Sequence, residues 1–136
     1  MNDYPQFLNG LLEAERAGAK LLAAWVDELP PGSDLGEKLR AVQRDEARNC
    51  AVLIHLLLEA GAAPSMATGD FYRKGLAIRG WPERLEFLER GQAWVARRIA
   101  AALPGVPTPQ GRHLLEAMHE SHLAGTPAQL ASSNAA

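Results

Sequence analysis

Arg44-Asp45-Glu46-Ala47-Arg48-Asn49-Cys50 sets five polar side chains in the middle of what otherwise reads as a long apolar-striped helix. Leu39, Val42, Glu46, Asn49, Leu53 and Leu57 recur at steps of three or four, so they share one helical face. Glu46 and Asn49 therefore lie on the stripe that points into a core, while Asp45 and Arg48 flank it on more exposed faces. An acid on a core stripe is costly unless it is paired, hydrogen-bonded or bound to a metal.

Working outward, Ser33 or Asp34 caps this helix, and Glu37 three residues after Asp34 makes a capping box. It runs to about Ala60, where Gly61 and then Pro64 stop it. From Ala51 to Leu58 it is apolar except for His55. That is wider than one stripe and predicts cover on two sides, by the next stretch of chain or by another subunit. His55 lies about 180° from Glu46, a surface or interface position. Cys50 falls at the core edge and reads as a buried, inert thiol.

Upstream, Tyr4 to Leu29 is helical in pattern, with Asp3 as a cap and Pro5 tolerated in the first turn. Leu8, Leu11, Leu12, Glu15, Ala19, Leu22 and Val26 form its stripe, so Glu15 is a second inward acid. Glu13, grouped with Asn9 and Lys20, lies off that stripe, as does Arg16. Small residues Ala14, Ala17, Gly18 and Ala19 admit a close neighbour, and Pro30-Pro31-Gly32 ends the segment.

Downstream, about 20 residues from Gly61 to Gly80 form a connection far longer than the ~4–6 of most loops. Phe71, Tyr72, Leu76 and Ile78 predict a short packed helix within it, making a crossover whose Tyr72, Arg73 and Lys74 cover the bundle or meet a small anion. Pro82 opens the next helix, with Trp81, Leu85, Leu88, Gln92, Val95 and Ile99 on its stripe and Leu103-Pro104-Gly105 at its end. Thr108-Pro109 begins a last helix ending at Gly125, striped by Leu115, Met118 and His122, with His119 close by. Residues 126–136 are small and polar and read as a frayed tail.

The pattern predicts an all-α fold: a four-helix bundle with one long crossover between helices two and three, the ferritin-like connectivity. Residues 1–124 form one domain and 125–136 a flexible tail. At 136 residues and 47% hydrophobic, the chain can bury a real core. A net charge of −2 without long runs of one sign argues against a nucleic-acid or anionic-membrane surface. The single Cys50 excludes an internal disulfide and fits a reducing cytoplasm. The start lacks a secretory pattern, and no apolar run approaches the ~20 residues of a membrane span.

Each helix thus turns a polar group inward: Glu15; Glu46 and Asn49; Gln92; His122 with His119. Ferritin-like carboxylate proteins hold two metal ions with a Glu from each of two helices and Glu-x-x-His from the other two. Here Glu15 matches the first Glu, and Glu46-Ala-Arg-Asn49 matches Glu-x-x-His with Asn for His. Gln92 stands where a third acid would be, and His119-Glu-Ser-His122 keeps only the second His. Glu116-Ala-Met-His119 is a literal Glu-x-x-His, but Glu116 falls about 120° from the apolar centre, at the bundle edge or in solvent.

The strings LLEAERAGAK, QRDEARNCAVL, PSMATGDFYRKGLAI, LEFLERGQAWVARRI and MHESHLAG, spread from Leu8 to about Leu123, resemble a bacterial ferritin-like family of unknown function. The resemblance implies the fold and leaves the activity open.

Three functions fit the inward set. One metal ion (Fe, Mn or Zn) is held by Glu15, Glu46 and His122, with His119, Asn49 and Gln92 as a second tier, for redox or oxygen chemistry. Alternatively, the same groups form a buried hydrogen-bond network, with Arg48 or Arg90 among the partners, and the protein acts by self-association, as a homodimer, or by binding a partner. Finally, the core is a small-molecule pocket with Glu46 or His122 as acid or base.

Overall fold

A computed structural model describes residues 3–124. It is all-helical: α1 (Tyr4–Val26), α2 (Asp34–Glu59), α3 (Asp70–Leu76), α4 (Trp81–Ala102), a 3₁₀ turn (Leu103–Gly105) and α5 (Pro109–Ala124). Among the described residues there is no strand and no helix long and apolar enough to cross a membrane. The tail expected from residue 125 lies outside the described residues. Among the described residues the chain divides into two compact units, Pro5–Ile78 and a second made of residues 3–4 and 79–124.

In the first unit, α1 buries Leu8, Leu11, Leu12, Leu21, Leu22 and Trp25 completely. It ends at Val26, three residues before the expected Leu29, because the chain tightens there. Glu28 and Leu29 donate to Trp25 and Val26, three residues back, and Pro30 disfavours helical backbone in the residue before it. Gly32 then takes φ +82°, a left-handed conformation that suits glycine. Ser33 is the cap of α2, its Oγ accepting from Gly36 N–H at 3.1 Å. At the other end Gly61, φ +74°, donates to Leu58 O, and Ala62 donates to Leu57 O at 2.9 Å. This pair of bonds is a Schellman stop.

The long connection is held down along α1. Asn9, Glu13, Arg16 and Lys20, one every three or four residues, form a second stripe beside the apolar one. Arg16 donates to Ser65 O and Ala67 O (3.0 and 2.6 Å), and Lys20 Nζ to Thr68 Oγ1 (2.9 Å). Asn9 donates to Ala63 O and accepts from Ser65 N–H, while Ser65 Oγ donates to Glu13 Oε2. Gly69 N–H reaches Glu13 O at 3.1 Å. The short helix predicted in this connection is α3; its Gly75 lies so close to Leu21 that a Cβ would sit 2.3 Å from Leu21 Cδ2. Tyr72 is half-buried with Lys20 Nζ 5.9 Å from its ring centre, while Arg73 faces Asp70 and Lys74 is exposed.

In the second unit α4 and α5 pack together. Leu88, Val95 and Ile99 of α4 and Leu115 and Met118 of α5 are buried. Thr108 Oγ1 accepts from Gly111 N–H at 3.0 Å and caps α5. Two expectations shift on α4: Trp81 and Leu85 are only half-buried, and the inward position in that turn belongs to Arg84. Its guanidinium stacks on the Trp81 ring at 4.7 Å, an arrangement that compensates part of its desolvation.

Candidate functional site: the buried polar positions

All five positions on the inward stripes are buried: Glu15 (1% exposed), Glu46 (5%), Asn49 (8%), Gln92 (2%) and His122 (4%). The 3.6-residue period alone places them there, since each occupies a step between buried leucines or their equivalents. His119 is half-buried and Glu116 exposed, as its angle on the helix implied.

In the first unit Glu46 lies against the backbone of α1 at Gly18. A Cβ on Gly18 would stand 2.0 Å from Glu46 Oε2 and 2.8 Å from Cδ. The missing side chain is therefore the space the carboxylate uses. Asn49 sits one turn further on the same face, and its Nδ2 has no hydrogen-bond partner among the described residues. Glu15 of α1 and Glu46 of α2 both act electrostatically on the Cys50 thiol of α2.

In the second unit His122 Nδ1 is hydrogen-bonded to Gln92 Oε1 within the core. An amide oxygen can only accept, so in this bond the imidazole donates through Nδ1–H. Glu15, Glu46, Gln92 and His122 each hold a further polar interaction besides these. Among the described residues, no group of three or more His, Cys, Asp and Glu is arranged to hold a metal ion.

A family model described as a domain of unknown function, DUF6306, matches residues 4–130. The chain belongs to that family. No curated protein and no solved structure matches it. The DUF6306 match takes in α1 through α5 and with them every inward polar residue.

The residue the sequence reading misses is Arg84, 3% exposed. Its signal is the series Trp81, Arg84, Leu88, Gln92, which keeps helical steps as well as the series through Leu85 does. The arginines expected to serve as buried partners are elsewhere. Arg90 is exposed, and Arg48 is a surface residue bonded to Asp45 at 2.7 Å. His55 is exposed and faces Glu59 at 3.3 Å. Trp25 is a core residue, whereas Trp94 is 43% exposed beneath Arg98.

Cys50 is half-buried rather than buried, yet the expected inertness has a physical cause. Burial first, then Glu15 and Glu46, with Arg16 opposing, together push the thiol up from the ordinary 9.0 to about 11. A raised thiol pKa favours the neutral form, so two units leave roughly 100-fold less thiolate at pH 8. Alkylation by iodoacetamide should be slower than for a free thiol by about that factor, rising through pH 11. An inflection at or below pH 9 would contradict this.

Proposed function

We propose that this chain is a ferritin-like four-helix bundle in which the positions of a metal site have become a buried hydrogen-bond network, and that it acts by association rather than catalysis. The supporting observation is the Gln92–His122 bond. At the position of the third acid stands a neutral amide, and its oxygen is engaged by the very imidazole that would be a ligand. Asn49 likewise replaces the imidazole of Glu-x-x-His. Amide oxygens neutralise no cation charge, so the donor set is poor for two ions. Networks of this kind fix helix register when their members are satisfied. The outer face of α2, where Ala51, His55 and Leu58 are exposed, is the surface that association would use, as a homodimer or with another protein. A lone half-buried thiol suits a reducing cytoplasm.

One observation favours a second reading, a single-metal bundle. Gln92 takes the Nδ1 side of the His122 ring, the kind of outer hydrogen bond that orients a ligating imidazole. An ion of Fe, Mn or Zn bound by inward carboxylate or imidazole groups would supply redox or oxygen chemistry.

Protein purified without a histidine tag, then reconstituted with each metal and desalted, distinguishes the two. The network reading expects no stoichiometric metal and no change in melting temperature on metal addition. Stoichiometric Fe, Mn or Zn that is lost in Glu46→Ala would establish the second reading instead.

A further inference from the structure

The exposed face of α2 has two unlike halves. Arg40, Arg44, Ala47, Ala51, His55 and Leu58 are all exposed, and at about 100° per residue they fall on one stripe. The N-terminal half is basic: Arg40 and Arg44 form no ion pair among the described residues. The C-terminal half carries Leu58, 61% exposed, followed by Glu59 and by a last turn with no basic residue. The Schellman bonds satisfy the carbonyls of Leu57 and Leu58, but no basic side chain offsets the negative pole of that helix end. Beside the two arginines lies a groove of about 230 Å³, walled by Ala23, Val26 and Asp27 of α1 and by Arg40, Gln43 and Arg44 of α2.

These halves complement each other when the helix is reversed. We infer that two copies of this chain pair antiparallel through α2 about a two-fold axis near Ala51, each Leu58 seating in the other's groove between α1 and α2. Arg44 lies seven residues before Ala51 and Leu58 seven after, each about 10 Å along the axis at ~1.5 Å per residue. Reversal about Ala51 therefore sets Leu58 of one copy opposite Arg44 of the other. The apolar Ala23 and Val26 wall receives the leucine, and the arginines meet Glu59 and the negative helix end. Ala47 and Ala51 at the centre let the two helices approach closely. Such a contact is isologous, so every interaction occurs twice.

The pairing rests on the association reading above and is tested separately from it. Sedimentation velocity of the full chain should show a reversible dimer. Leu58→Asp should raise its dissociation constant at least about tenfold, with helix content by circular dichroism unchanged. Arg44→Glu should weaken it, and Arg44→Glu with Glu59→Arg should restore it. Leu76→Asp, at an exposed apolar position on α3, should leave it intact. In a Cys50→Ser background, Ala51→Cys should form an interchain disulfide on mild oxidation, because a residue near a two-fold axis meets its own copy. A dimer indifferent to Leu58→Asp and Arg44→Glu overturns this interface and leaves association standing. A monomer at every concentration overturns the interface and self-association together.

Discussion

Alanine at position 18 should destabilise the protein by about 1–3 kcal/mol, whereas alanine at position 10 of the same helix should stabilise it by up to about 1 kcal/mol. In a helix interior the exchange of glycine for alanine is ordinarily favourable, because the freedom of the unfolded glycine is reduced. At Gly10 nothing lies within 4 Å of the added Cβ, so only that gain remains. At Gly18 the Cβ would stand 2.0 Å from a carboxylate oxygen of Glu46. The acid must then leave the one place the helix backbone opens for it, within a region where water cannot replace lost partners. Urea denaturation of the two variants checks the opposite signs. Glu46→Ala supplies the control: in that background Gly18→Ala should cost little or turn favourable, a coupling on the order of 1–3 kcal/mol. Equal effects of Gly18→Ala with and without Glu46 would show that the two residues do not share this space.

Gln92→Leu is expected to cost about 1–3 kcal/mol through His122. Leucine is comparable to glutamine in volume, though it branches one carbon earlier, so the packing of α4 changes only modestly. What is lost is the amide, which accepts from Nδ1–H and holds one further polar interaction within the core. Gln92→Leu with His122→Phe removes both ends of the bond and should recover a large part of the loss. If the double variant is as unstable as the sum of the two single ones, the bond has no coupling energy and contributes nothing to the core.

The helices and the inward polar set are legible from residue spacing because one physical rule governs both. A side chain three or four steps from buried leucines is itself carried inward, whatever its polarity. That rule placed Glu15, Glu46, Asn49, Gln92 and His122 correctly. It fails at helix ends, where two stripes compete. Trp81 and Leu85 scored as core by hydrophobicity, while Arg84 obtained burial through its stacking on Trp81, a pairing that hydropathy does not contain. The partners of α1 were also beyond it. Asn9, Glu13, Arg16 and Lys20 were visible as a polar stripe, but their bonds run to residues about 50 positions away. No local pattern encodes a contact over that separation. Cys50 is half-buried rather than buried because it lies at the stripe edge, where a few degrees decide exposure.

The bonds that fasten the connection to α1 go largely to its backbone. Ala63, Ser65 and Ala67 are held by their carbonyl oxygens, and Ser65 and Gly69 by their amide N–H groups. Every residue type offers a carbonyl, so α1 dictates the path of this segment while leaving the side chains at 63, 66 and 67 free to differ. Met66 stands 91% exposed between two carbonyls gripped by one arginine. The segment is in effect a fixed bracket with an interchangeable fitting: substitutions at Met66 can alter what the surface offers without altering the fold that presents it.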